Sequence, residues 1–378
     1  MQDSFDVIII GGGLAGLSLA IQLADTNFTV AVLERNKYPI HRVCGEYISM
    51  ESWNFLERTG MPMREMQLPF INELHVSSVA GKILTHPLNP GGFGISRYLL
   101  DATLANIARA KGAVILENCK VEDYYQQGES FTVAAGEKKL KGKIVIGAFG
   151  KRSNMDKKLQ RSGFDSANSI TQNWVGVKYH IKSTLPDHVI QLHNFDGGYC
   201  GISKVEGEQH CLCYLTKAEN LKRFAGNIRQ MEDQLLSVNP FLSKIFESRS
   251  AFLFDAPETI SQINFENKLP VEKNMLMAGD AAGLITPLCG NGMSMALRAS
   301  VICFFAIEKF LSGKISRKEM EIQYAADWRR EFSFRLKAGR FLQPLLVNSS
   351  LSKPAIALLK HFPIAVKQIV GATHGKSF

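Results

Sequence analysis

Three glycines and one acid near the start of the chain have the residue types and spacing that bind a diphosphate. Gly11, Gly13 and Gly16 show G-x-G-x-x-G spacing, and Glu34 follows them by about 20 residues. Gly11 allows a tight turn, and the missing side chain of Gly13 lets a diphosphate reach backbone N–H groups at a helix start. Gly16 permits close helix–strand packing, and Glu34 can accept hydrogen bonds from a ribose diol. The motif predicts a dinucleotide site; an ordinary glycine turn is the alternative.

A strand, a helix and a second strand must hold these residues in place. The β-branched run 7–10 predicts a strand buried on both faces, and 14–24 carries its apolar residues on one helical face. Residues 29–33 predict the second strand, which ends beside Glu34 and Arg35. Leu14 and Ala15, at the predicted helix start, are further candidates for cofactor contact.

A second glycine-rich segment follows the short apolar run 275–277. A strand that ends at Asp280 would place a carboxylate at the carboxyl end of a parallel sheet, where it can accept a cofactor hydroxyl. Gly290 and Gly292 precede a new predicted helix, whose N-terminus would stabilise negative charge. An Asp cap with a glycine-rich loop is the alternative. The predicted contacts here are Gly279, Asp280, Gly283, Pro287, Gly290, Asn291, Gly292 and Met293.

Composition is that of a globular protein with an asymmetric charge. The chain has 378 residues, 46% hydrophobic and 21% charged, and a net charge of +9. Seven cysteines with no C-x-x-C pair favour reduced thiols over disulfides or a zinc site. We expect no signal peptide, because acidic Asp3 and Asp6 lie where a basic segment would be, and no run of about 18 apolar residues is present. Cytoplasmic localisation, or a peripheral position at the inner membrane surface, is the expectation.

Three separated motifs resemble FAD-dependent oxidoreductases of the glutathione-reductase-like class. They are GGGLAG with Glu34-Arg35, ISRYLLD at 95–101, and GDAAGLITPLCGNG at 279–292. The run KYPIHRVCGE is similar to one in geranylgeranyl reductases and flavin halogenases, within the wider group of aromatic hydroxylases. The resemblance covers about 5–310 and implies FAD as the cofactor.

The resemblance implies an α/β fold in which a FAD-binding Rossmann domain is interrupted by an antiparallel β-sheet substrate domain and followed by C-terminal helices. We expect the FAD domain at 1–62, 91–165 and 266–312, the substrate domain at 63–90 and 166–265, and the helices at 313–378. It further implies that Arg97 contacts the FAD ribose or phosphates, that Arg42 and Gly45 lie near the flavin mouth, and that Val121 touches the adenine.

Two departures from the family pattern bear on the chemistry. Phe149 stands where the group has an Asp that helps to hold FAD and, in hydroxylases, NAD(P)H. Reduction by NAD(P)H is therefore doubtful, and a redox partner becomes a candidate donor. The run from Gly198 to Lys204 lacks the tryptophan of the reductase and halogenase motifs, and the halogenase motif evidence does not favour that chemistry.

Three functions remain open. The first is reduction or desaturation of carbon–carbon bonds in a lipophilic substrate, in the manner of geranylgeranyl reductases. The second is hydroxylation of an aromatic or polyketide-like ring, and the third is a non-catalytic electron carrier. Candidate catalytic residues are Cys44, Glu46 and Tyr199. The structural alternative for Cys44 is a small buried apolar residue, and for Tyr199 it is a strand aromatic.

The C-terminal region carries most of the positive charge. Nine Lys/Arg and one acid lie between 329 and 378. These segments are interpreted as a helical cap on the main body or as a contact with an anionic membrane surface. Nucleic-acid binding is not expected, because no aromatic-interleaved basic patch occurs on a recognised module.

Overall fold

The computed structural model describes residues 3–151, 153–161 and 173–378. Its strands are β1 (Ser4–Ile10), β2 (Val30–Leu33), β3 (Tyr47–Ser49), β4 (Phe70–Ser77), β5 (Ile83–Gly94), β6 (Val114–Leu116), β7 (Asp123–Gln127), β8 (Ser130–Ala135), β9 (Lys138–Gly147), β10 (Trp174–Ile181), β11 (Val189–Phe195), β12 (Gly198–Lys204), β13 (His210–Lys217), β14 (Glu258–Ile263), β15 (Val271–Glu272) and β16 (Met275–Met277). Its helices are α1 (Leu14–Ala24), α2 (Trp53–Thr59), α3 (Arg97–Ala110), α4 (Asn154–Lys158), α5 (Ala218–Arg223), α6 (Ile228–Gln234), α7 (Pro240–Glu247), α8 (Gly292–Leu311), α9 (Arg317–Val347), α10 (Ser349–Leu359) and α11 (Pro363–Thr373).

The first sheet has a parallel centre with the strand order β15-β16-β9-β1-β2-β6. Strands β16, β9, β1, β2 and β6 run parallel to one another, and β15 is antiparallel to β16. The β7–β8 hairpin extends the sheet from β9. Residues 7–10 of β1 and all of β2 and β16 are buried, and they are continuously apolar, as predicted for β1. The fold class predicted from the sequence is confirmed.

The second sheet joins two separate parts of the chain in the order β14-β10-β13-β12-β11-β4-β5-β3. Its pairs are antiparallel except for β11 with β4. Strand β3 lies within the segment predicted for the FAD domain, yet it pairs with β5. The chain therefore crosses between the sheets several times, while the domain boundaries given above stay a prediction.

Two helical regions differ from what their local residues favour. The segment 222–246 forms three short helices, because Gly226 takes a positive φ of 81° and Asn227 and Asn239 cap new helices. Pro344 and Pro354 lie inside α9 and α10, although proline normally interrupts a helix. Packing of the flanking turns overrides the local cost of the missing N–H.

The C-terminal helices bury part of their apolar surface on the body. Val347, Ile356 and Val366 join an apolar cluster with Leu192 and Leu215 of the second sheet. Among the described residues, no single helix has the length and apolar character to cross a membrane. The α10 and α11 pair meets those criteria jointly, but the two helices are bent by 118°.

Candidate active site

A large cavity lies where the parallel strands of the first sheet end. It has a volume of about 1230 Å³, larger than the roughly 300–1,000 Å³ usual for small-molecule pockets. The ends of β1, β2, β9 and β16 open into it, and the face of the second sheet forms its far wall. Ligands of open parallel sheets bind at these carboxyl ends, so the cavity is the candidate active site.

The glycine turn after β1 is shaped for a close approach. Gly11 has a φ of 108°, and a Cβ there would lie 2.4 Å from the carbonyl oxygen of Ala148. A Cβ on Gly13 would meet only Arg97 Nη2, at 3.7 Å, so its missing side chain leaves room inside the cavity. Gly16 does not line the cavity; a Cβ there would lie 2.1 Å from the Gly11 oxygen. The turn thus combines tight packing at Gly11 and Gly16 with open space at Gly13.

Glu34 is buried at the end of β2 and organises the turn. It accepts hydrogen bonds from the backbone N–H of Gly12 at 2.9 Å and of Asn36 at 3.1 Å. Arg42 pairs with the same carboxylate at 3.1 Å. A carboxylate has about four acceptor positions, so Glu34 keeps capacity for a ribose hydroxyl, the role predicted from the sequence.

Two arginines share one buried carboxylate beside the glycine turn. Arg97 binds Asp101 through two bonds of 2.7 Å, and Arg42 Nε donates to Asp101 at 2.9 Å. Burial alone lowers the pKa of Arg97, but the Asp101 charge and hydrogen bonds raise it well above its usual range. Arg97 therefore stays cationic beside the glycine turn, where the sequence predicts the diphosphate. The Arg42 side chain contacts Glu34 and Asp101, and its place near the flavin mouth stays a prediction.

The second glycine-rich segment lines the opposite part of the cavity. Asp280 lies in a short turn directly after β16, preceded by Gly279 with a φ of 62°. Gly290 has a φ of 63°, and α8 begins at Gly292 with its N-terminus facing the cavity. The predicted residues Arg35, Cys44, Gly45, Val121, Pro287 and Met293, together with Leu14 and Ala15, also line it.

Two residues of this segment have structural positions instead. Gly283 packs against α9, where an added Cβ would lie 2.8 Å from the Trp328 ring. The amide of Asn291 is fully buried and donates to the carbonyl of Thr373 in α11 at 2.6 Å. Neither residue lines the main cavity. Asn291 instead ties the glycine-rich loop to the last helix, a contact across 82 residues that local sequence does not reveal.

The loop that carries Cys44 is held in position by hydrogen bonds to its four consecutive backbone carbonyls, those of residues 42–45. Arg42 O accepts from Lys178 Nζ at 3.2 Å, and Val43 O accepts from Lys151 Nζ at 3.2 Å. The Cys211 thiol donates to Cys44 O at 3.2 Å. Ser203 Oγ donates to Gly45 O at 2.8 Å. The loop is therefore fixed against the second sheet, with the half-buried Cys44 lining the cavity.

Glu46 forms a buried charge cluster behind this loop. It pairs with Lys178, and its other oxygen lies 2.6 Å from His180 Nε2. Burial would raise the pKa of Glu46, but His180 and Lys178 hold it below its usual value. Burial likewise opposes the charge of Lys178, yet Glu46 raises its pKa. The two shifts agree that both groups are charged.

Part of this cluster, together with Cys211, also has side chains close enough to one another to hold a metal ion. Ligand atoms of Glu46, His180 and Cys211 lie within 4.8 Å of one another. The Lys178 ammonium already neutralises Glu46 and would repel a dication at that point. Burial also raises the pKa of Cys211 well above its usual range, so it offers a thiol in place of a thiolate. The arrangement favours an ion pair that orients the loop.

The far end of the cavity is an apolar chamber on the second sheet. Its walls are formed by Val175, Ile190, Leu192, Ile202, Leu215, Ile260, Ile263, Leu284 and Leu288. Tyr199 faces this chamber and is 3% exposed. Its hydroxyl has no hydrogen bond of good geometry to any described residue. Burial, with Cys289 and Cys213 nearby, raises the pKa of Tyr199 well above its usual range, so the hydroxyl is protonated.

Sequence reasoning missed Lys178 and His180, which lie in β10. The two residues are two positions apart, so they share one face of an otherwise apolar strand. Two ionisable groups on the same buried face needed a partner, and that pattern was a usable signal. The identity of the partner, Glu46, depends on a contact across more than 130 residues and was not accessible.

The parallel sheet, the glycine turn and the cavity at its strand ends define a dinucleotide-binding oxidoreductase fold. Residues 4–196 match the protein-family model described as "FAD binding domain". The chain belongs to this family and is a FAD-dependent oxidoreductase. The open space at Gly13, the cationic Arg97 and the cavity volume fit the diphosphate and length of FAD.

Relatives in the same family carry different names. The chain is 22% identical to a digeranylgeranylglycerophospholipid reductase of Methanococcus vannielii, over 88% of this chain and 84% of the relative. It is 22% identical to a kynurenine 3-monooxygenase of Flavobacterium johnsoniae, over 82% and 74%. It is 24% identical to conditioned medium factor receptor 1 of Dictyostelium discoideum, over 93% and 74%.

Solved structures show the same fold at low identity. A geranylgeranyl bacteriochlorophyll reductase-like protein from Thermoplasma acidophilum superposes with a TM-score of 0.76 at 16% identity, over 98% of this chain and 96% of that one. The flavin-dependent brominase Bmp2 gives 0.76 at 16% identity, over 98% and 94%. Both reductase and oxygenase chemistry are represented among the relatives, as the sequence predicted.

Proposed function

We propose that this protein reduces or desaturates carbon–carbon bonds of a lipophilic substrate. The observation that carries the proposal is the continuity of one cavity from the diphosphate cradle into the apolar chamber on the second sheet. A chamber with aliphatic walls stabilises an alkyl or polyprenyl chain by roughly 25 cal/mol for each Å² of apolar surface buried. The reductase from Methanococcus vannielii, whose name specifies a geranylgeranyl lipid, supports the same substrate class.

Bound FAD supplies hydride transfer to or from the substrate carbon. Reduction of a double bond also needs one proton, so that hydride and proton together convert C=C into CH–CH while the reduced flavin is oxidised. The Cys44 thiol and the protonated Tyr199 hydroxyl both face the cavity. We assign the proton to one of these two groups, with Glu46 orienting the Cys44 loop through Lys178.

Hydroxylation of a ring is the second candidate, and the kynurenine 3-monooxygenase relative supports it. The two reactions separate on how the reduced protein is reoxidised. In the test, the FAD-loaded protein is reduced anaerobically with dithionite and mixed either with a geranylgeranyl lipid or with oxygen. We expect fast reoxidation by the lipid, a product heavier by two hydrogens, and slow reoxidation in air.

Rapid reoxidation by oxygen with incorporation of one oxygen atom into an aromatic substrate would establish the hydroxylase. If neither a lipid nor an aromatic compound reoxidises the reduced flavin, the remaining candidate function is an electron carrier. A redox partner protein would then accept the electrons. The Tyr199→Phe and Cys44→Ala variants then identify the proton donor, because loss of the donor slows reoxidation by the alkene while FAD binding is kept.

A further inference from the structure

The corner between α10 and α11 exposes apolar side chains to solvent. His361, Phe362, Pro363 and Ile364 are consecutive exposed residues. Phe362 is 54% exposed and Ile364 is 76% exposed, and Leu358 just before them is 61% exposed. Large apolar groups grouped at one exposed corner mark an interaction surface, because scattered apolar residues would not follow one another along the chain.

A second apolar stripe runs along α9. Phe334 and Phe341 are 68% and 72% exposed, and Lys337 and Pro344 are exposed between and after them. These positions are three or four residues apart, so they lie on one face of the helix. The opposite face of α9 is buried on the body, through residues such as Phe332 and Leu336. The exposed stripe is therefore additional to the surface that α9 needs for folding.

The chain segment that carries both surfaces has charge of one sign. Between 332 and 378 the sequence contains seven Lys/Arg and no Asp or Glu. Lys353 on α10, Lys360 directly after it and Lys367 on α11 are exposed. Such a surface repels a second copy of itself and attracts an anionic one. Cations beside exposed aromatic and aliphatic residues are the composition of segments that lie in a bilayer interface.

We propose that the α10–α11 corner docks this protein on an anionic lipid bilayer. Phe362, Ile364 and Leu358 enter the boundary between headgroups and acyl chains, and the flanking lysines contact the anionic headgroups. The same helices supply Ile356 and Val366 to the cluster that contains Leu192, Tyr199, Leu284 and Leu288 of the apolar chamber. The docked corner thus lies on the part of the protein that covers this chamber.

The test is flotation of the full-length, FAD-loaded protein with vesicles. Vesicles of phosphatidylcholine alone are compared with vesicles of phosphatidylcholine and phosphatidylglycerol. We expect binding to the anionic vesicles only, weakened by added salt. The K353Q/K360Q/K367Q variant should lose on the order of a hundredfold in partitioning, from about 1 kcal/mol for each basic residue. The F362S/I364S variant should lose binding at low and high salt.

Matched controls carry the same substitutions elsewhere. Lys138, Lys139 and Lys141 are exposed on β9, and Phe305 is 56% exposed on α8. The K138Q/K139Q/K141Q and F305S variants should bind anionic vesicles as the wild type does. Retained FAD absorbance and unchanged melting temperatures show that each variant is folded.

Two outcomes would overturn the proposal. One is wild-type protein that stays with the solution in the presence of anionic vesicles. The other is sedimentation of the wild type as a dimer that F362S/I364S converts to monomer, which would make the corner a contact between copies. Because vesicle binding is measured without turnover, its failure is distinct from a failure of the proposed alkene chemistry.

Discussion

Substitution of Gly13 by valine separates cofactor binding from folding. Gly13 has a φ of −90° and ψ of −172°, which valine adopts without strain. Its Cβ position has Arg97 Nη2, at 3.7 Å, as its nearest neighbour. The protein alone therefore accommodates valine. The added methyl groups project to where a diphosphate would reach the N–H groups at the start of α1.

The size of the effect follows from the hydrogen bonds lost. Hydrogen bonds to a charged group contribute roughly 1.5–3 kcal/mol each, so displacing the diphosphate from two N–H groups costs about 3–6 kcal/mol. At about 1.4 kcal/mol for each factor of ten, FAD binding weakens on the order of 10²- to 10⁴-fold. Fluorescence titration of apoprotein with FAD measures this change, and urea unfolding of the apoprotein measures stability.

Two other glycines serve as comparisons. At Gly16 a Cβ would lie 2.1 Å from the Gly11 oxygen, so Gly16→Val should destabilise the fold itself. At Gly371 in α11 no atom lies within 4 Å of the added Cβ, so Gly371→Val should leave FAD affinity unchanged. FAD affinity of Gly13→Val within a few-fold of wild type would refute the reasoning, as would unfolding as severe as that of Gly16→Val.

Three further predictions concern Asp280 in the second glycine-rich segment, the buried charge cluster around Glu46, and the electron donor. Asp280→Ala should give a folded protein whose FAD affinity falls about tenfold or more, from the loss of one hydrogen bond to a charged acceptor; full flavin occupancy after dialysis would contradict the role. Glu46→Gln should lower the free energy of unfolding by about 3–5 kcal/mol, because Lys178 stays buried without its partner. Since the pKa of Glu46 is held below its usual value of 4.5 and that of Lys178 above its usual value of 10.5, the difference in unfolding free energy from wild type should be full between these two pH values. It should shrink as the pH falls through the folded pKa of Glu46 or rises through that of Lys178, and a pH-independent difference in urea denaturation would count against the ion pair. Phe149→Asp should speed the reduction of bound FAD by NADPH, measured by stopped-flow absorbance, with Phe149→Leu as the control. Equal reduction rates in the wild type and both variants would show that Phe149 does not limit reduction by NADPH.

Much of the cofactor cradle was predictable because its determinants are local. Gly11, Gly13 and Gly16 specify a backbone path within six residues, and Ser96 caps α3 through a hydrogen bond to a residue three positions further on. Asp280 follows a buried strand directly, so its place at the sheet edge required only the assumption of a parallel sheet. The pairing of Arg97 with Asp101 is likewise an i, i+4 contact on one helix.

The remainder depended on contacts between distant segments. Nothing near Glu46 in the sequence identifies Lys178 and His180, because the register of β10 against the 42–46 loop selects them. The hydrogen bond from the Asn291 amide to Thr373 depends on the packing of α11, which lies 82 residues further along the chain. Proline normally interrupts a helix, but α9 continues past Pro344 to Val347 with buried residues on both sides.

The most direct measurement is a crystal structure of the protein with FAD and a geranylgeranyl lipid. We expect the diphosphate at the backbone N–H groups of Gly13 and Leu14 and the flavin ring beside Asp280 and Gly292. We also expect the lipid chain in the apolar chamber next to Leu192 and Leu215. FAD bound away from the glycine turn, or a lipid held outside the chamber, would contradict these assignments.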